Sequence, residues 1–408
     1  MKITHVNHSS VLIENQSGKF IWTDPWVISP AFDGWTQKPH PYTKIIKKIT
    51  DIPRENLKII ISHGHDDHLD EFILSSESFK EVEVIIPKLN TPGLRKRIEN
   101  LSKNRKVIEV DKNDYLLDGF RITNLINPDY TGDDTIFLID DTNTTFIHAN
   151  DNYHEYSLDF CKTIQGKLNF YNSNIILYAV QIAMADSFPY IYEPLSFDEK
   201  NEILLNGHKK RVDAVKQNME NLGFDFAYIY ANQASFLEKI QENQDIKNSS
   251  LVKDEFIDLN SNRFLQLKPS FQYTFKEELK HDHFLFESSV EDSTDTNIFE
   301  FLLKKYNDKA RKYVQNKIPN PIFHDFRFSS FEDEKNNQDF INFKSEKKIW
   351  QNILTGKHTL ESIIVGGNGL IIKPKDINIS PLIFCLTKWT YKVQSELNRK
   401  GIDSLIEN

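Results

Sequence analysis

The sequence predicts a mixed α/β protein: a strand-rich first region with interspersed helices, followed by a mixed α and β remainder. Three observations predict it. Short apolar runs bounded by turn residues recur through the first part of the chain, as strands do. One long amphipathic segment, DEKNEILLNGHKKRVDAVKQNMENLG, reads as a helix and ends at Gly223, a residue type suited to a helix C-terminus. The polar stretch QENQDIKNSS then reads as a surface connector, which places a boundary near residue 245.

The first stretch reads strand, turn, strand: ITHV, SSVLIEN, a turn over Asn15 to Gly18, and SGKFIWTDP, which Pro25 ends. A Pro- and aromatic-rich segment precedes a helix around Tyr42 to Lys48. In LKIIISHGHDDH an apolar run stops at a polar cluster, the pattern of a buried strand that delivers side chains to a loop. Alternation resumes at VEVIIP, KVIEV, FRITNLI, DTIFLID and TTFIHAND, with LRKRIENLSK as a helix between them. NIILYAVQ and FDFAYIYANQASF read as further strands on either side of the long helix. Beyond residue 245 helical periodicity is scarce until EKKIWQNILTGKH, and residues 246–408 read as an accessory module that caps the first domain's cleft or supports an oligomer interface.

The chain has 408 residues, 39% of them hydrophobic and 12% aromatic, which supplies buried cores and excludes a disordered chain. Lys and Arg number 50 against 59 Asp and Glu, a net charge of -9, so the balance gives no support to a nucleic-acid partner. Only Cys161 and Cys385 occur, which excludes a disulfide scaffold and any site of four thiolates. The start, MKITHVNHSSVLIE, lacks the pattern of a secretory signal, and no run reaches the ~20 apolar residues that a bilayer span needs. The expectation is a cytoplasmic protein with no membrane partner.

The strongest signal is His63-Gly64-His65-Asp66-Asp67-His68, directly after LKIII. A tight loop can turn these imidazoles and carboxylates to one point, and they are ligands for zinc, iron or manganese. Gly64, without a Cβ, lets such a loop coil closely. The bland reading, a histidine-rich surface loop, fits the preceding strand and the spacing poorly.

The cluster resembles the H-x-H-x-D-H motif of the metallo-β-lactamase superfamily, over approximately residues 1 to 240. The resemblance implies an αββα sandwich with two metal ions. His63 and His65 would bind the first, Asp67 and His68 the second, and Asp151 would bridge them. Asn7-His8-Ser9-Ser10 and Thr23-Asp24-Pro25 look like elements of the branch that contains ascorbate-6-phosphate lactonase, N-acylphosphatidylethanolamine phospholipase D and CMP-N-acetylneuraminate hydroxylase. The likeness is greatest to the hydroxylase, on Asp24-Pro25-Trp26, Gly34-Trp35, Asn150-Asp151-Asn152 and Ala231 to Phe236. His8 is then a candidate catalytic residue near the metals, against a histidine hydrogen-bonded at a sheet edge. Asp24 either caps a turn or holds a ligand imidazole by accepting its other N–H.

The pattern also departs from the superfamily. No histidine stands between His68 and His148, where a hydrolytic member would supply one. The candidates there are acids, Asp129, Asp133 and Asp134, and Asn232 or Gln233 occupies the other usual histidine position. His148 and His154 flank Asp151 and could replace the missing imidazoles, but a role supporting the ligands from behind or capping a helix is the stronger reading of each; His154 is counted among the metal candidates. His208 falls on a charged helical face and reads as solvated, and His281 with His283 forms an H-x-H pair without a second ligand group.

Carboxylate in place of imidazole makes a centre harder and more anionic, which suits iron pairs that activate dioxygen. The expected function is therefore a dinuclear non-haem iron oxygenase, a hydroxylase or N-oxygenase of a small polar biosynthetic metabolite. The alternative is a zinc or manganese hydrolase of a phosphoester, lactone or amide. A third reading is a binding protein whose centre has degenerated. Neither Cys161 nor Cys385 sits in a Rieske context, so an oxygenase would need a separate ferredoxin or reductase. Trp22, Trp26 and Trp35 line a ring-stacking cleft or belong to the core, and Lys38 and His40 are candidates to meet an anionic group.

Overall fold

In the computed structural model the described residues are 1–37, 43–89, 93–102, 105–128, 135–181, 188–193, 195–224, 227–230, 234–236, 264–266, 296–331, 340–374, 376–400 and 403–406. They divide into two units. The first gathers Met1–Ala31, Trp35–Ala185 and Asn201–Phe271; the second gathers Phe32–Gly34, Asp186–Lys200 and Gln272–Asn408. The boundary expected near 245 lies outside the described residues.

The first unit begins with strands β1 (Lys2–Asn7), β2 (Ser10–Glu14) and β3 (Phe20–Thr23), then the short β4 (Trp35–Gln37), β5 (Leu57–Ile60), β6 (Val84–Pro87) and β7 (Val107–Val110). One sheet runs β1-β2-β3-β5-β6-β7, antiparallel across its first three strands and parallel from β3 to β7. Next come β8 (Tyr115–Leu117), β9 (Phe120–Ile126), β10 (Thr135–Asp140), β11 (Thr144–Asn150) and β12 (Ile175–Gln181). With β14 (Ala227–Tyr230) and β16 (Phe264–Gln266) they form the second sheet, in the order β16-β14-β12-β11-β10-β9-β8. Between them in sequence are β13 (Tyr192–Glu193), which pairs in the second unit, and β15 (Ala234–Phe236), which pairs with β4.

Strand alternation explains the layers. Val11, Ile13, Ile21, Ile60 and Ile85 of the first sheet share a core with Ile122, Phe137, Ile139, Phe146 and Tyr230 of the second. Their neighbours Leu12, Trp22, Ile59 and Val84 face the other way, against Ile45 and Ile49 of α1 (Thr43–Thr50), Ile73 of α2 (Glu71–Ser75) and Ile98 of α3 (Gly93–Leu101). On the far side Ile136, Leu138 and Ile147 pack on α4 (Leu158–Tyr171) and on Val212, Val215 and Met219 of α5 (Phe197–Leu222). Strands covered on both faces have near-continuous apolar sequences, which is why LKIII and TIFLI carry no polar alternation. This is an αββα sandwich.

The second unit has a four-stranded sheet in the order β13-β19-β18-β17, with β17 (Phe326–Ser330), β18 (Ile341–Ser345) and β19 (Gly369–Ile372). Helices over Thr296–Lys317, Lys347–Leu354 and Ser380–Lys400 belong to it. The first of these corrects the reading that helical periodicity is scarce before EKKIWQNILTGKH. Phe299, Leu302, Leu303, Tyr306, Ala310 and Val314 are all buried, at helical spacing. Asn307, which would ordinarily weaken such a helix, is buried and donates its amide to Leu303 O and Phe328 O.

Candidate metal centre

Five segment ends of the first unit meet at one place. β1 turns into β2 through Asn7-His8, where the Asn7 side chain accepts from His8 N at 2.8 Å and His8 adopts φ 47°. β3 ends at Asp24, β5 runs into Ser62 to His68, β11 ends at Asn150, and β14 ends at Tyr230. Asn150 has φ 57°, a left-handed conformation that Asn tolerates better than most residues, and it aims Asp151 into the site.

Asp24 organises the centre from behind. Its Oδ1 accepts from Ser62 N at 2.7 Å; its Oδ2 accepts from Ser62 Oγ at 2.8 Å, His68 Nδ1 at 3.0 Å and His148 Nε2 at 2.7 Å. Burial alone would raise this carboxyl, but His148, His68 and their hydrogen bonds outweigh it and hold Asp24 well below the usual carboxylate range. Because His68 Nδ1 is committed to Asp24, Nε2 is the nitrogen that faces the site. It lies 3.4 Å from Asp67 Oδ2 and 3.4 Å from Asp151 Oδ1.

His63 Nε2 lies 3.6 Å from Asp151 Oδ2 and 2.7 Å from His65 Nδ1, while Ser62 Oγ and Asn150 Nδ2 stand at 3.1 and 2.9 Å from its Nδ1. His8 Nε2 is 3.3 Å from Asp67 Oδ2, with its ring edge-on to Trp26. Two groups therefore have ligand atoms mutually within 4.8 Å: His8, Asp67 and His68, and His63, His68 and Asp151. His68 belongs to both.

The electrostatics of these neighbours diverge. Burial, then the adjacent His68 and His65, push His63 well below the ordinary histidine value. For His68, burial is outweighed by Asp67, Asp151 and Asp24, which push it well above. Burial raises the Asp67 carboxyl, but His68 and His8 draw it well below its usual value.

The donor set fits a pair of cations. His68 Nε2, Asp67 Oδ1, Asp151 Oδ1 and His8 Nδ1 are buried and have no hydrogen-bond partner among the described residues. Several buried acceptor atoms converging without donors are costly unless something positive satisfies them. Nitrogen and oxygen ligands of this kind suit zinc, iron or manganese alike.

The other candidates are distributed differently. His65 joins neither group but contacts His63 directly. His154 joins neither group; its backbone carbonyl accepts from Asn218 Nδ2 on α5. Asp129, Asp133 and Asp134 lie outside the described residues, as do Asn232, Gln233, Lys38, His40, His281 and His283. His148 is fully buried and bonded to Asp24 and Tyr230, and it belongs to neither group. His208 corrects the solvated reading: it is buried, and burial with the nearby Arg211 pulls it down to about 4. Trp22, Trp26 and Trp35 are at most 1% exposed, so they are core.

Two residues that hold the cluster loop carry little sequence signal. Asp70 caps α2 by accepting from Phe72 N and Ile73 N, and also accepts from Val27 N, Ile28 N, Ser29 N and Ser29 Oγ, which ties the loop after Asp24 to the loop after His68. Arg97 of α3 bonds Gly64 O, Asp66 and Glu71. The Asp70 role has one legible sign, an acid just before a short apolar helix.

Residues 2–166 match the family described as beta-lactamase superfamily domain. A protein of Mycolicibacterium smegmatis, named as a Rieske 2Fe-2S iron-sulfur protein, is 24% identical over 245 residues. That match covers 58% of this chain and 45% of the relative, so the chain spans less than half of the relative's length. Among solved structures, the metallo-beta-lactamase fold protein YhfI of Bacillus subtilis is 13% identical with a TM-score of 0.34, covering 55% of this chain and 79% of that one. A diphosphatase of the PhnP family is 14% identical with a TM-score of 0.32, covering 54% of this chain and 71% of that one. Among the described residues no helix is long and apolar enough to cross a membrane.

Proposed function

We propose that this metallo-β-lactamase-fold superfamily member is a metal-dependent hydrolase that acts on a phosphoester, lactone or amide bond of a small molecule. One observation carries the reading: His68 Nε2, fixed by Asp24 behind it, faces the carboxylates of Asp67 and Asp151 at 3.4 Å each, and His68 Nε2, Asp67 Oδ1 and Asp151 Oδ1 have no hydrogen-bond partner among the described residues. His63, His65, Asp67, His68 and Asp151 would hold two cations, with an acid of the 129–134 segment, Asp129 or Asp134, as a further ligand. Bound there, such ions would lower the pKa of a water and polarise the scissile bond.

The chain's own groups would do the rest. Asp24 orients His68, and Ser62 with Asn150 orients His63. His8 holds Asp67 by the Nε2 contact at 3.3 Å and so fixes the direction of that carboxylate. Burial of His8, Asp67 and His68 keeps bulk water from competing for these contacts. The test is to strip the protein of metal, reload it with zinc or manganese, and assay phosphodiester, lactone and amide substrates. Turnover that returns with the metal and is lost in Asp67→Ala supports the proposal; no turnover on any class after full reloading counts against it.

A second reading is the diiron oxygenase, fed by a separate ferredoxin or reductase. It is favoured by the 24% identity to a protein named for a Rieske iron-sulfur centre, and by the acid-rich, histidine-poor segment after the cluster. Oxygen consumption by the ferrous-loaded protein in the presence of a reductant distinguishes it from the hydrolase.

A further inference from the structure

Behind the candidate metal centre runs a buried chain of hydrogen bonds that ends on a tyrosine. Tyr230, His148 and Asp24 are each 0% exposed. Asn150 N donates to the Tyr230 hydroxyl oxygen at 2.9 Å, and that hydroxyl lies 2.6 Å from His148 Nδ1. His148 Nε2 then lies 2.7 Å from Asp24 Oδ2, which also stands 3.0 Å from His68 Nδ1.

Donor counting fixes the direction of each bond. Asp24 is acceptor-only, so the nitrogen of His148 that faces it is the donor; Nδ1 of the neutral ring then accepts the Tyr230 proton, while the Tyr230 oxygen accepts from Asn150 N–H. His148 must then carry its proton on Nε2, which is donated to Asp24. Asp24 receives four donors, from Ser62 N, Ser62 Oγ, His68 and His148, as many as a carboxylate accepts in full. A carboxylate so occupied stays anionic in the interior and keeps the proton on His68 Nδ1, which lies 3.0 Å from Asp24 Oδ2 and 3.0 Å from the Ser9 hydroxyl oxygen, so Nε2 is left to the site.

We infer that Tyr230 and His148 are positioning residues of the metal centre: through Asp24 they lock His68 with Nδ1 protonated and Nε2 presented to the ion. His148 is on this account not a substitute ligand for the histidines missing from the superfamily pattern. The inference rests on His68 binding metal, as proposed above, and holds for zinc and ferrous iron alike, so it does not depend on which reaction the centre performs.

The experiment compares zinc affinity, by competition with a chromophoric chelator, in the full-length protein and its Tyr230→Phe and Tyr228→Phe variants. Tyr228 packs its ring 5.6 Å from Tyr230 but bonds His5 instead, so it controls for loss of a buried hydroxyl from the same core. Tyr230→Phe is expected to weaken zinc binding several-fold, less than the roughly 10- to 100-fold that follows loss of a group bonded to the ligand itself, because Tyr230 acts through His148 and Asp24, with Tyr228→Phe unchanged. Nitrogen-15 NMR of the unmodified protein provides a readout that needs no variant to fold, and is expected to find His148 protonated on Nε2 alone. Equal affinities in the two variants, or a proton on His148 Nδ1, would overturn the inference. Full zinc uptake by His68→Ala would instead overturn the ligand assignment on which it rests.

Discussion

Asp24 Oδ2 accepts a hydrogen bond from His68 Nδ1 at 3.0 Å, and both side chains are wholly buried. The bond costs the fold the desolvation of a carboxylate and is offset by three other donors to the same group. Replacing Asp24 by Asn leaves the shape but puts an N–H₂ against the one donor that meets Oδ1 or the three that meet Oδ2. Asp24→Asn should weaken zinc binding by about 10- to 100-fold. Equilibrium dialysis against a metal buffer checks this, and unchanged affinity would mean that Asp24 only caps a turn.

Asp70 should matter more than its place outside the cluster suggests. Asp70→Ala removes the cap of α2 and leaves Val27 N, Ile28 N and Ser29 N without their acceptor. A lost cap costs about 1 kcal/mol and the orphaned buried N–H of Val27 about 1–3 kcal/mol, while the part-buried amides of Ile28 and Ser29 can turn to water and add little. Chemical denaturation of the variant should show a loss on the order of 3 kcal/mol, together with weaker metal retention. The more conservative Asp70→Asn should recover part of both.

Acid should destabilise the first unit through His208. Its folded pKa lies at about 4, below the ordinary 6.5, because burial and then Arg211 disfavour the charged form. The unfolded chain therefore binds the extra proton between these values. The contribution is complete above 6.5 and is lost as pH falls from there towards about 4. It amounts to a few kcal/mol at most, at about 1.4 kcal/mol per pKa unit. His5, drawn down to about 3 by burial and His8, acts in the same direction. Melting temperatures measured from pH 7 to 4.5 should fall less steeply in His208→Gln than in the unmodified protein.

Two glycines should respond in opposite directions. A Cβ at Gly366 would lie 1.9 Å from Phe32 O and 2.6 Å from Ser362 O, so Gly366→Ala should lose about 1–3 kcal/mol or more. A Cβ at Gly166 meets nothing within 4 Å, and Gly166 is inside α4. Gly166→Ala should therefore gain up to about 1 kcal/mol by helix propensity. Thermal melts of the two variants measure both effects.

The sequence is most legible where the chemistry is contiguous. His63 to His68 sit in one loop after one strand, so their convergence could be anticipated from spacing, and the apolar runs of β5, β9, β10 and β11 announced the strands that frame them. The position of His148 near Asp151 suggests a ligand or, more readily, a support for one, and the structure gives it the supporting place on Asp24. The other partner of His148, Tyr230, is 82 positions away, and nothing local marks that pairing. The Asp70 and Arg97 contacts to neighbouring loops are likewise long-range. His208 reads as solvated because its helix is charged in sequence, while the face it occupies is buried. Phe32–Gly34 and Asp186–Lys200 belong to the second unit, and no local signal in those segments marks that membership.

The most direct test of the central claim is a titration of the metal-stripped protein with zinc, following bound metal and hydrolytic turnover in the same samples. The account predicts two zinc ions per chain, with hydrolysis of a phosphoester, lactone or amide appearing as they bind and both lost in His68→Ala. No hydrolysis on any of these classes at full zinc occupancy, together with an oxygen-dependent spectrum of coupled ferric ions in the iron-loaded protein, would contradict it in favour of the oxygenase.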